Sequence, residues 1–242
     1  MSIRALIVML ATSVMIIAIL AGQETYRIFV PGLLAGALLT IQIAVVAALL
    51  AVATAVLAAL GKLYGPTPMR WLANIYIEVF RGTSALVQLF WLFFVLPSFN
   101  INLDPFTVAV LALGLNIGAY GAEAVRAAIT AVARGQWEAA TALNMTRFQM
   151  LRRIILPQAF TAMIPFWGNL FIELLKSTSL VSLITLADLT FKAQQMNQTT
   201  MKTIPIFNLV LLIYLAMSLA ITIGMRCLER RASRGLARGR TV

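Results

Sequence analysis

Two polar trios interrupt long apolar runs in this chain, and their spacing says what chemistry they can do. Asn116, Tyr120 and Glu123 fall at i, i+4 and i+7, as do Asn169, Glu173 and Lys176, so each trio shares one face of a helix. An unpaired polar group in hydrocarbon costs several kcal/mol, so such faces must meet partners or line a wet cavity. Asn116 with Tyr120, and Asn169 with Glu173, are therefore candidates to line a polar cavity. The alternative is that they hydrogen-bond neighbouring helices as structural glue. Glu78–Arg81 and Glu123–Arg126 are each three residues apart, the spacing of an intrahelical ion pair, and are read as structural pairs. Glu173 has a competing partner in Lys176.

This is binding and pairing chemistry rather than bond-making chemistry. The chain has no His and a single Cys, Cys227, which leaves it without the commonest general base and without a Cys/His metal cluster. No GxxxxGK[ST] loop occurs, so it carries no phosphate-cradling ATPase motif of its own. Neither a catalytic residue, nor a metal ligand, nor a bound cofactor is expected.

The elements that must position these residues are membrane helices. Apolar residues make up 61% of the 242 positions and charged ones 11%, which places the chain among integral membrane proteins. Predominantly apolar runs predict about six spans of roughly 20 residues: Ala5–Gly22, Phe29–Leu60, Trp71–Leu96, Phe106–Ala131, one starting near Phe160, and Pro205–Met225. A cleaved signal peptide is the alternative reading of the first run, though no A-x-A site follows it. Gly32, Gly36, Thr40, Ala44 and Ala48 form a small-residue stripe that lets another helix approach closely. Residues 188–203, rich in Gln, Asn and Thr, read as a polar loop.

The net charge of +11 gathers at the ends of the apolar runs and in the tail, which argues against a nucleic-acid partner. Counting Lys and Arg by loop puts both termini, Gly61–Arg70 and the stretch 134–158 on one side, which the positive-inside bias makes cytoplasmic.

That last stretch is too charged for hydrocarbon, carrying Glu138, Arg147, Arg152 and Arg153. Gln136–Leu143 reads as a short helix built on good helix formers, and Asn144 can end it in the left-handed conformation. Thr146 with Gln149 completes a capping box for a second helix, which Pro157 should close near Leu156.

These residues also carry a resemblance. The spacing Glu138-Ala139-Ala140, then Asn144, then Ile154-x-Leu156-Pro157 resembles the EAA coupling loop of ABC importer permeases, with Asn where the family usually has Gly. Glu78-Val-Phe-Arg81-Gly-Thr-Ser84 through Gln88-Leu-Phe resembles the signature of the polar amino-acid branch, with Ser84 replacing a Pro that would favour a kink. Gly118-Ala-Tyr120-Gly-Ala-Glu123-Ala-Val-Arg126 and Lys176-Ser-Thr-Ser-Leu180 resemble two further family motifs. Within that branch the runs from Arg81 to Phe93 and Gly135 to Asn144 most resemble those of ectoine and hydroxyectoine uptake permeases.

The resemblance implies an all-α, type I (MetI-like) permease fold with about six spans and a cytoplasmic coupling helix. Residues 29–228 would form the permease domain, 1–28 an extra N-terminal helix and loop, and 229–242 a basic cytoplasmic tail. The function implied is ATP-driven import of a polar amino acid or similar zwitterion through a bacterial inner membrane. Glu138, Ala139, Ala140, Asn144, Ile154, Leu156 and Pro157 would couple to the ATPase. The partners implied are a second permease subunit, two cytoplasmic ATPases that bind the ATP and Mg, an extracytoplasmic binding protein and membrane lipid. A secondary transporter or channel working without an ATPase is the alternative.

Overall fold

The computed structural model describes residues 3–237; residues 1–2 and the last five of the basic tail lie outside the described part. The described residues contain helices and no strand. Five helices are long and apolar enough to span a membrane: α1 (Ile3–Ala21), α3 (Val30–Tyr64), α6 (Pro105–Thr130), the continuous segment Arg147–Ile184, and α11 (Thr203–Ala237) over Thr203–Ser233. A one-turn helix, α2 (Glu24–Arg27), joins α1 to α3. A sixth span exists only as a bent pair, α4 (Thr67–Gly82) with α5 (Ala85–Phe90), the latter extended by π and 3₁₀ turns to Phe99.

The core is the seam between α3 and α6. Ile43, Ala47, Ala51 and Ala55 on α3 are fully buried. They face Gly114, Gly118 and Gly121 of α6, where an added Cβ would stand 3.0 Å from the Ala47 carbonyl at position 114 and 3.0 Å from the Ala55 methyl at 121. Without side chains at these positions the backbones close up, which supplies the dispersion contact that lipid-exposed association cannot draw from hydrophobic burial. Trp167 of α9 (Leu156–Ser177) packs edge-on to Gly121 and completes the layer.

Three expectations change. The run Trp71–Leu96 is not one helix but turns by 104° at Gly82-Thr83-Ser84. Replacing the family's Pro by Ser84 does not straighten it, because Thr83 and Ser84 are extended and the freed carbonyls have side-chain donors. Gln88 Nε2 donates to Phe80 O at 3.0 Å and to Thr83 Oγ1 at 2.6 Å, and Thr83 Oγ1 donates back to Val79 O.

Second, Pro157 does not close the helix after the loop. A π turn over Leu151–Ile155 precedes it, and α9 begins at Leu156. Pro in the first turn needs no amide donor, and the wider π turn takes up its ring. Third, residues 188–203 are not a loop: Asp188 caps a helix, α10 (Leu189–Thr200), which ends at Met201 with φ 54°. Of the small-residue stripe, Gly36 and Thr40 pack tightly on α10, while Ala44 and Ala48 are only half-buried.

Candidate coupling loop and polar cavity

Between α6 and α9 the chain makes an elbow. α7 (Arg134–Ala142) ends at Asn144, whose φ of 53° is left-handed. Asn reaches that conformation at little cost, which is why the turn closes here. Thr146 then caps α8 (Arg147–Met150): its hydroxyl accepts from Gln149 N, and the Gln149 side chain accepts from Thr146 N. Both halves of the capping box are present.

The elbow has an inner and an outer face. Ala140, Met150 and Ile155 are buried against the body of the chain, and Ala140 is 0% exposed. Met145 N reaches back to Ala140 O at 3.1 Å, closing the turn from inside. Glu138, Ala139, Asn144 and Pro157 are exposed, and Ile154 and Leu156 are half-buried. Two large apolar side chains that the motif does not include stand out from the turn, Leu143 at 73% and Phe148 at 71% exposed. Their signal in the sequence was an apolar residue on each side of the turn-forming Asn144.

Above the elbow, Glu123 holds two cations: Lys62 Nζ on α3 and Arg126 Nε one turn along α6, each at 2.8 Å. The Lys62 partner, 61 positions away, is invisible to helical spacing. Glu78 and Arg81 form no ion pair, although three apart, because the Arg81 guanidinium lies over the Tyr120 ring at 5.5 Å from its centroid. Glu173 and Lys176 are both exposed and form none either.

The two polar pairs end in different places. Asn116 is buried, and its Nδ2 donates to Phe80 O at 2.9 Å and to Gln88 Oε1 at 3.3 Å. Tyr120 OH donates to Arg81 O at 3.4 Å, and Tyr76 OH to Leu115 O at 2.8 Å. Asn116 and Tyr120 thus bind the carbonyls freed at the α4–α5 bend. Asn169 instead lines a cavity of about 640 Å³ between α9 and α11, with Thr222, Arg226, Glu229, Arg230 and Ser233. Glu173 is exposed one turn further along α9, outside that lining.

Known proteins with this sequence pattern and fold are transport subunits. Residues 51–234 match the family described as binding-protein-dependent transport system inner membrane component. A probable amino-acid ABC transporter permease, y4tF of Sinorhizobium fredii, is 49% identical over 181 residues, covering 72% of this chain and 76% of that one. The L-cystine transport system permease TcyB of Bacillus subtilis is 39% identical, covering 87% and 90%. The glutamine permease GlnP of Escherichia coli is 36% identical, covering 84% and 93%. Among solved structures, an amino acid ABC transporter with histidines superposes with a TM-score of 0.80 at 36% identity, covering 86% of this chain and 97% of that one. The MetNI methionine transporter, at 16% identity and a TM-score of 0.71, shares the fold. The chain belongs to the binding-protein-dependent inner membrane component family and is a permease subunit of an amino-acid ABC importer.

Proposed function

We propose that this permease carries a polar amino acid or an amino-acid-like zwitterion such as ectoine, driven by ATPases that dock on the elbow at Asn144. The observation that carries the docking is the pair Leu143 and Phe148, exposed on either side of a capped turn in a stretch that also carries Glu138, Arg147, Arg152 and Arg153. Apolar side chains of that size, held out by a fixed backbone, suit insertion into a groove on a partner. Glu138, Ala139, Asn144 and Pro157 are the exposed motif residues, while Ala140, Ile154 and Leu156 shape the surface from behind.

The loop, Lys62, Arg70 and the α11 end then face the cytoplasm of a bacterial cell, with both termini, in line with the positive-inside bias. A second permease, two ATPases that bind ATP and Mg, and an extracytoplasmic binding protein complete the importer. Asn169, Glu173 and Lys176 are exposed along one face of a spanning helix. Ionisable groups facing lipid are expensive, so this face suits a second permease subunit and a cavity between the two. Asn169 and Glu173 are the substrate-cavity residues proposed; Asn116 and Tyr120, engaged at the bend, act through the scaffold.

The test is uptake of labelled ectoine against labelled amino acids by the reconstituted importer, with Asn169→Ala and Glu173→Gln as variants. Cavity residues should weaken apparent affinity while basal ATP hydrolysis persists. Unchanged uptake and substrate preference in both variants would remove them from the cavity.

A further inference from the structure

One buried carboxyl has no role in the coupling loop or the cavity. Asp188 follows the 3₁₀ turn Thr178–Ile184 and the left-handed Thr185, and it is 0% exposed. Its Oδ1 accepts from Phe191 N at 2.8 Å, the N-cap bond of α10. Its Oδ2 is buried as well and meets no hydrogen-bond donor among the described residues. The next residue, Leu189, belongs to a buried apolar cluster with Leu33 of α3, Ala193 of α10, and Leu209 and Ile213 of α11.

The contacts around Asp188 are close and specific. A Cβ at Gly36 would stand 2.8 Å from the Asp188 carbonyl oxygen, so α3 lies directly on the start of α10. Thr40 Oγ1 accepts from Leu189 N and donates to Gly36 O, both at 3.1 Å. On the α11 side the Thr190 and Tyr214 hydroxyls are 3.1 Å apart. Titratable groups on the packed elements are Tyr214 on α11 and Lys192 on α10; the packed stretch 33–43 of α3 brings none, and Asp188 has no ion pair. An ionised carboxylate here would keep one oxygen desolvated and unpaired, which a proton relieves.

We infer that Asp188 is a pH-sensitive positioning residue at the start of α10: neutral, its buried carboxyl is compatible with the packing of α10 on α3 and α11, and on losing its proton it weakens that packing. Oδ1 keeps the Phe191 amide in both states, so the cap survives and only the second oxygen changes. Burial, opposed chiefly by the hydrogen bond from the Phe191 amide, pushes the carboxyl up to about 6 from 3.8. The packed state therefore holds the proton more tightly than the loosened one. Its advantage is full below about pH 4 and is lost as pH rises to about 6, roughly a hundredfold in the equilibrium at most. α10 bridges α9 and α11 at the end away from the elbow, so the consequence for transport rests on the orientation proposed above. The packing itself does not.

The assembled importer in lipid nanodiscs, as wild type, Asp188→Asn and Asp188→Ala, tests this directly. Hydrogen exchange of the Leu189–Ala193 amides, corrected for intrinsic rates, should rise in wild type between pH 4.5 and 7. Asp188→Asn, which mimics the neutral acid in shape, should stay protected and flat; Asp188→Ala should be unprotected throughout. Infrared spectra of wild type should show a protonated-carboxyl stretch that fades over the same range and is missing in Asp188→Asn. An Asn variant as unprotected as Ala, one that fails to assemble, or a wild-type profile identical to the Asn profile would overturn the inference. None of these readouts depends on substrate or transport.

Discussion

Adding a single methyl at Gly36 probes the packing of α3 on α10. An ideal Cβ there lies 2.8 Å from Asp188 O, 2.9 Å from Leu189 Cα and 3.0 Å from Asp188 C, all backbone atoms. Ordinary contact begins near 3.4 Å, so α3 and α10 must separate by roughly half an ångström. That movement also stretches the bond from Leu189 N to Thr40 Oγ1, 3.1 Å long and fully buried. Overpacking of this kind costs about 1–3 kcal/mol, while Ala in a helix interior returns about 0.5–1 kcal/mol over Gly. The expected net loss for Gly36→Ala is about 0.5–2 kcal/mol, or roughly 1–8 °C in thermal midpoint for a chain of this length. Gly135→Ala is the matched control, since nothing lies within 4 Å of its added methyl. Thermal unfolding of both variants in the same detergent reads the difference. A Gly36→Ala midpoint at or above wild type would refute the close approach of α3 to α10.

At the elbow, Asn144→Gly should leave stability and uptake unchanged or slightly improved, whereas Asn144→Val should cost about 1–2 kcal/mol by thermal unfolding, since a β-branched residue resists a positive φ. Leu143→Asp with Phe148→Asp should abolish co-purification of the ATPase while moving stability by no more than about 0.5 kcal/mol, both side chains being exposed. Ala140→Arg should instead lower the thermal midpoint, because its side chain is enclosed by its own chain; normal folding with selective loss of the ATPase would contradict that. A cysteine at Asn102 should be labelled from outside right-side-out vesicles and one at Gln149 should not, and the reverse pattern would invert the proposed orientation.

Local chemistry was readable wherever the partners were local. Asn144, the Thr146–Gln149 box and the Glu123–Arg126 pair lie within a few residues of their partners, and helical spacing finds them. The bend at Gly82–Ser84 was hidden because apolar residues continue through it, while its stabilising groups, Gln88 and Asn116, lie 8 and 36 residues from Phe80. Asn116 and Tyr120 looked like cavity residues for the same reason: spacing gives their face but not what the face meets. Lys62 on Glu123, Arg81 on Tyr120, and Ala140 packing inward are all tertiary outcomes. Pro157 misled because a rule for α-helices was applied next to a π turn.

The uninterrupted run from Arg147 to Ile184 spans 38 residues with no loop between the elbow and the opposite end of the molecule. Trp167, wedged against Gly121, sits near its middle. At 1.5 Å per α-helical residue the arm from Arg147 to Trp167 is about 30 Å. The other arm, through α9 and the 3₁₀ turn, is about 30 Å as well. Pro165 sits inside this run two residues before Trp167, where it removes a backbone hydrogen bond. The run therefore has a built-in point of bending beside its contact with Gly121, and its two arms are not one stiff lever.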